Sequence, residues 1–274
     1  MFKKVAIIGV GLIGGSMALD MKRKGLAKKV VGVSRHRKSI ELARKTGAID
    51  SGAQRLDIIK GADLVILATP VNTILNSADA ISKLISRDCI VSYVGSTKKE
   101  IVSKLDKVFP HYIGSHPLAG TEKRGIINAL PGMFKNSLCI ITPTKKTNSQ
   151  AQKKIKRLWN QLGAEVVVLR PDIHDKILSL VSHLPHALAF SLINSIPSRY
   201  LKLGANSLKD ATRIAVSDSQ LWSDIFLSNR KNILHSIASF QKSLSRIKSA
   251  INKRDKKALI KILADAKNKR EILG

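Results

Sequence analysis

Residues 5–24 read VAIIGVGLIGGSMALDMKRK, and this stretch limits the fold more than any other. The apolar, β-branched run from Val5 to Ile8 suits a strand covered on both faces of a parallel sheet. It breaks into Gly9-Val10-Gly11-Leu12-Ile13-Gly14, a GxGxxG pattern, after which Leu12, Ser16, Leu19 and Arg23 recur at helical spacing. Strand, glycine turn and helix in that order predict a dinucleotide-binding unit. Gly9 permits the tight turn, Gly11 lets the backbone approach a pyrophosphate, and Gly14 lets helix and strand pack closely. The helix N-terminus then offers unpaired N–H groups to the phosphates. A secretory leader starting at Met1-Phe2-Lys3-Lys4 fits less well. Glycines interrupt the apolar run, Asp20 closes it, and no small-residue cleavage site follows.

The pattern continues in alternation. Lys29–Arg35 reads as a second strand, whose end falls where an acidic residue normally holds the ribose 2′-hydroxyl of NAD. Here the chain has Ser34, then Arg35-His36-Arg37. A hydroxyl and guanidinium groups suit a 2′-phosphate, so the expected cofactor is NADP, with NAD as the alternative. Further strands are expected at 63–68, ending in Thr69-Pro70; at 89–94, ending in Gly95-Ser96-Thr97-Lys98; and at 112–115, leading into His116-Pro117. Two more lie at 138–142 and 165–169. Helical patterns at 72–85, 98–108 and 149–162 lie between them. The expected fold is α/β: a Rossmann-type doubly wound parallel sheet, with ligands beyond the carboxyl ends of its strands.

From about Pro171 strand patterns stop and helical ones run to the end. The expected division is a dinucleotide-binding domain over 1–171 and an all-α substrate and dimerisation domain over 172–274. Ile233, Ile237, Phe240, Leu244, Ile247 and Ile251 form a heptad seam. An intramolecular helix pair would give the same seam, but a small helical domain needs more core than it can supply alone, which favours a homodimer.

Composition narrows the function. A net charge of +29 would suit a nucleic-acid binder, but the lysines are spread over the whole chain and aromatic content is 4%, too low for base-stacking platforms. The charge is read instead as a field that attracts anionic ligands. No uninterrupted apolar run reaches membrane-spanning length, so a cytoplasmic protein without a membrane contact is expected. Cys89 and Cys139 sit in strand-like apolar runs as buried thiols, and nothing has metal-ligand spacing.

Three segments carry the chemistry. HPLAGTEK begins at His116 at the ligand edge, SHLPH spans 182–186, and KDATRI spans 209–214. Together with the fingerprint, the GST segment at 95–97 and ITPTKKT at 141–147, they resemble the prephenate dehydrogenase family, including its arogenate-using members. The resemblance runs along nearly the whole chain. It implies oxidative decarboxylation of prephenate to 4-hydroxyphenylpyruvate in tyrosine biosynthesis, or, as the alternative, of arogenate directly to tyrosine. It implies that His116 is the catalytic histidine and that Ser96 orients it beside the nicotinamide. Arg213 would bind a substrate carboxylate, Thr121 and the two histidines His183 and His186 would line the pocket, and Glu122 with Asp210 would form an ionic network near it. Gly9 to Gly14, Ser34, Arg35, Arg37, Thr69, Pro70 and Ser96 would hold the cofactor.

The residue types suit this chemistry independently. A neutral histidine suits a proton acceptor, and an arginine fork suits a carboxylate. Two departures bear on specificity. Ser92-Tyr93-Val94 replaces the polar residues many relatives carry before the GS pair, and the glycine turn ahead of DATR is reduced to Leu203-Gly204-Ala205-Asn206. A β-hydroxy-acid dehydrogenase would use a lysine base in the helical half, where this chain has SHLPH and DATR. A non-catalytic nucleotide-binding protein would not need Ser96, His116 and Arg213 together.

Overall fold

The computed structural model describes residues 1–120 and 123–273. Strand β1 (Phe2–Ile8) runs into helix α1 (Leu12–Arg23) and β2 (Ala27–Val33). Then come α2 (Arg37–Lys45), the short β3 (Ser51–Ala53), β4 (Leu64–Leu67), α3 (Val71–Ser82), β5 (Ile90–Tyr93) and α4 (Lys99–Val108). β6 (Tyr112–Pro117), β7 (Leu138–Thr142), α5 (Ser149–Leu162) and β8 (Glu165–Val168) complete one eight-stranded sheet. Its order is β3-β2-β1-β4-β5-β6-β7-β8, so the first six strands have the doubly wound dinucleotide-binding arrangement. β1 is covered on both faces: Val5 and Ile7 face the core on one side of the sheet, Ala6 and Ile8 the core on the other. That is why its sequence reads as continuous apolar rather than alternating.

The sheet departs from the expected all-parallel form at one place. β7 lies antiparallel to β6, with Gly114 opposite Thr142 and His116 opposite Ile140. Between them the chain forms only a 3₁₀ turn, Ile126–Asn128, among the described residues. Without a crossover helix to return it to the far end of the sheet, the chain must run back beside β6. α5 then makes that crossover, and β8 is parallel to β7. The returning loop is fastened to α1: Ser16 Oγ accepts the Leu130 N–H at 2.9 Å, and Asp20 Oδ1 accepts that of Gly132 at 2.8 Å. β3 is the strand, among the described residues, that the sequence pattern did not reveal, because three residues are too short to show a period.

The helical half begins with a continuous rod. α6 (Pro171–Leu178) passes through a π-helical turn, Ser179–His183, into α7 (Leu184–Asn194). α8 (Asn206–Thr212), α9 (Ser219–Ser228), α10 (Arg230–Asn252) and α11 (Lys256–Glu271) follow. The rod's buried face is unusually polar, made of His174, Asp175, Ser179 and His183 together with Leu178. Its apolar residues Ile173, Ile177, Leu180 and Val181 are exposed. By length and composition this 24-residue helix could cross a membrane. The buried His174 and Asp175 side chains instead dock against the sheet domain. In α10 the heptad seam is fully buried only at its start: Ile233 is 5% exposed, Ile237, Phe240 and Ile247 are half-buried, and Leu244 is 52% and Ile251 59% exposed.

Candidate active site at the carboxyl edge of the sheet

The glycine turn divides into positions the protein needs and one it leaves open. Gly9 has φ +102°, and a Cβ there would lie 2.6 Å from Ala68 O. A Cβ on Gly14 would lie 2.2 Å from Gly9 O, whereas one on Gly11 would meet nothing within 4 Å. Gly11, Leu12 and Ile13 border a cleft of about 440 Å³ with Thr69, Pro70, Ser96 and His116. Val10 is buried and does not border this cleft. Thr69 Oγ1 is buried with no hydrogen-bond partner among the described residues, as expected of a group that awaits a polar ligand. An open Gly11, a helix N-terminus and this orphan hydroxyl fit a dinucleotide.

Ser34 stands at the end of β2, where its Oγ accepts the His36 N–H at 3.2 Å. Arg35 is exposed, and its side chain reaches the His36 ring, with Nε 3.0 Å from Nε2. Arg37 is exposed and pairs with Glu41 at 2.9 Å. These three lie outside the residues that border the cleft.

A second cavity of about 510 Å³ adjoins the first, and Ser96 and His116 border both. The helical half supplies His183, His186, Arg213, Asp218 and Trp222 to its wall. His116 ends β6 and lies almost fully buried. Its Nδ1 is 2.8 Å from Nε2 of His174, whose Nδ1 is 2.8 Å from Asp175 Oδ1. Burial holds the His116 imidazole well below its usual pKa, and positive charge on its neighbours Lys98, His174 or His183, whenever they carry it, lowers it further. His116 is therefore neutral at physiological pH, as an acceptor must be.

Lys98 is fully buried beside it. Its Nζ donates to Gly95 O, lies 3.5 Å from Thr97 O and sits 4.5 Å from the Tyr93 ring centroid. Burial lowers its pKa to about 7, against the pull of Asp175.

The two SHLPH histidines separate clearly. His183 Nδ1 faces Asn229 Nδ2 at 3.1 Å. Asn229 Oδ1 already accepts from Asn232, so the amide nitrogen faces the ring and His183 Nδ1 is the acceptor. Burial lowers the His183 pKa to about 4, so its ring is neutral and Nε2 carries the proton. That Nε2 is buried and has no hydrogen-bond partner among the described residues. His186 instead donates Nδ1–H to Ser182 O at 3.0 Å and stacks on Trp222 with 3.5 Å between ring centroids. The π turn advances His183 to the cavity wall, a use of π turns common at functional sites.

The structure thus brings together Ser96, His116, His183, His186 and Arg213. Arg213 is exposed, and its guanidinium has no hydrogen bond or ion pair among the described residues. Asp210 is exposed on α8 and does not border the cavity. Thr121 and Glu122 lie outside the described residues. No hydrogen bond joins Ser96 to His116; the contact that orients the His116 ring comes from His174. Sequence reasoning missed His174, Asp175, Lys98 and Asn229, and assigned Trp222 no role. The adjacent His174-Asp175 pair just after the helical half begins was the one available signal.

A nucleotide cleft that opens onto a neutral histidine, roofed by helices from a second unit, defines a two-domain nicotinamide-dependent dehydrogenase. Within that class the chain belongs to the prephenate dehydrogenase family. The family's nucleotide-binding domain matches residues 17–168 and its dimerization domain residues 170–265. The prephenate dehydrogenase of Bacillus subtilis is 32% identical over 97% of this chain and 75% of its own length. The structure of prephenate dehydrogenase from A. aeolicus, in complex with hydroxyphenyl propionate and NAD+, superposes with a TM-score of 0.96. It is 35% identical and covers 100% of this chain and 99% of that one. Synechocystis arogenate dehydrogenase superposes at 0.87, with 26% identity over 99% of this chain and 100% of its own.

Proposed function

We propose that the protein oxidatively decarboxylates prephenate to 4-hydroxyphenylpyruvate in tyrosine biosynthesis, with His116 as the proton acceptor. The observation that carries this reading is the position of His116, neutral and shared by both cavities. Prephenate carries two carboxylates and a ring alcohol. His116 Nε2 takes the proton of the ring hydroxyl as that carbon is oxidised. Arg213 pairs with a carboxylate, and His183 borders the same cavity. Loss of the ring carboxylate as CO2 makes the ring aromatic, which drives the step. When bound, the nicotinamide supplies the hydride acceptor. Ser96 borders both cavities and bridges cofactor and substrate; the family resemblance assigns Thr121 and Glu122 to the substrate as well, and Asp210 to a charge network outside the cavity wall.

Arogenate differs in carrying an ammonium where prephenate has a keto group. The described lining includes Arg213, Arg124 and one carboxylate, Asp218, which Arg124 already engages. Cations suit keto and carboxylate oxygens and offer an ammonium little, which favours prephenate. For the cofactor, the exposed Arg35 beside Ser34 favours NADP over NAD. The working form is a cytoplasmic homodimer joined through the helical half from about residue 172, where apolar faces are exposed.

His116→Asn should lower turnover by roughly 10²–10⁴ while cofactor affinity, read by fluorescence titration, stays near that of the unmutated protein. Steady-state kinetics with prephenate and arogenate, each with NADP and NAD, complete the test. Unchanged turnover in His116→Asn, or preference for arogenate, would overturn the corresponding assignment.

A further inference from the structure

Behind His116 lies a chain of buried polar groups that the oxidation itself does not require. Asp175 sits at the centre. Its Oδ1 accepts the Lys98 N–H at 2.9 Å and faces His174 Nδ1 at 2.8 Å, and its Oδ2 accepts the Lys99 N–H at 2.8 Å. The carboxylate therefore closes the N-terminus of α4, where helix N–H groups lack partners. Asn229 Nδ2 donates to the Asp175 backbone carbonyl at 2.8 Å, which holds this turn of α6 against α10. Both His174 and Asp175 are essentially without solvent exposure.

These contacts fix the tautomers in sequence. A carboxylate only accepts, so His174 must present Nδ1–H to Asp175. Burial lowers the His174 pKa, so the ring is neutral and its Nε2 is a bare acceptor. That nitrogen lies 2.8 Å from His116 Nδ1, so His116 must carry its proton on Nδ1. Nε2 of His116 is then left with a free lone pair.

We propose that His174 and Asp175 are positioning residues that hold His116 in the Nδ1–H tautomer and stabilise the imidazolium it becomes. The proposal rests on His116 being the base. When His116 Nε2 takes the substrate proton, the new cation keeps Nδ1–H on His174, whose other nitrogen stays on the carboxylate. No proton needs to move onto Asp175. The arrangement offsets a local electrostatic cost, since Lys98 at the start of α4 faces the same imidazole, with His183 from the π turn, while Cys139 from β7 meets the His116 backbone. His186 and Arg213 also border this cavity.

The first test needs no cofactor or substrate. In ¹⁵N-histidine NMR of the unmutated protein, His116 should show a protonated Nδ1 and an unprotonated Nε2. His174→Leu should abolish that fixed tautomer, giving a mixture. It should lower kcat on the order of 10²-fold with KM little changed. The acid limb of its kcat/KM profile should move to lower pH, because the imidazolium has lost its acceptor. His174→Gln, whose amide oxygen can accept from Nδ1–H, should recover part of kcat and part of the limb. A packing role alone would lower Tm without moving the limb. An Nε2–H tautomer for His116 in the unmutated protein would overturn the proposal. So would His174→Leu with normal kcat, or with reduced kcat and an unmoved limb. His116→Asn measured alongside separates the two readings: if it loses turnover while His174→Leu does not, the relay fails and the base stands.

Discussion

Lys98→Met provides a quantitative test of the site's electrostatics. The side chain is fully buried and its pKa falls from the ordinary 10.5 to about 7, chiefly through burial. The unfolded chain holds this proton up to about pH 10.5, while the folded chain releases it near 7. Between those values the unfolded state binds more protons, so the folded state gains stability as pH rises, and below 7 the cost is at its maximum. At about 1.4 kcal/mol per decade, the charged lysine costs about 5 kcal/mol at pH 6 and about 1 kcal/mol at pH 10. Methionine has similar length and no charge, but it leaves the Gly95 and Thr97 carbonyls without the ammonium, a pH-independent loss of about 1–3 kcal/mol. The variant should therefore be more stable by about 2–4 kcal/mol at pH 6, and no more stable than the unmutated protein near pH 10. Urea unfolding of both proteins from pH 6 to 10 measures the difference, in which the titration of the other lysines cancels. Trp159 reports on the sheet and Trp222 on the helical half. A difference that stays flat to within about 1 kcal/mol across that range would refute the reasoning, because only a depressed lysine pKa makes it slope.

Three further outcomes are expected. Gly11→Ala should leave Tm near its original value but weaken cofactor binding in fluorescence titration, whereas Gly14→Ala should destabilise the fold itself by about 1–3 kcal/mol or more, since its Cβ meets Gly9 O. Ser34→Asp with Arg35→Asn should shift the kcat/KM ratio from NADP towards NAD by about tenfold, the size of one exposed charge-assisted contact at ~1.4 kcal/mol; equal efficiency with both cofactors before mutation would show that this loop does not discriminate. Sedimentation should give a dimer at micromolar concentration, and Leu244→Glu with Ile251→Glu on the exposed seam should dissociate it; a compact monomer in the unmutated protein would remove the seam from assembly.

Local order was legible in the sequence because local order obeys short periods. The run Val5 to Ile8, the glycines that follow it and the apolar strands ending at Thr69, Gly95 and His116 all carry their structure in adjacent residues. The parallel rule then places their ends along one edge, and the residues expected at the pocket, Ser96, His116, His183 and Arg213, do meet there. The antiparallel return of β7 was not legible, since the direction of a strand depends on what precedes it and not on its own composition. Nor was the exposed position of Asp210, which helical spacing alone cannot relate to a cavity.

What only the tertiary structure decided is how the buried charges are joined. His174 and Asp175 lie 58 and 59 positions beyond His116 in the chain, on a helix that belongs to the other half of the molecule. Nothing in the spacing brings them to it. They arrive because α6 buries a polar face against α4, where a carboxylate can close the helix N-terminus at Lys98 and Lys99. The sequence determined which groups could transfer a proton. Packing decided which nitrogen of His116 is bare, because a buried hydrogen bond left unmade costs more than the ordering that makes it.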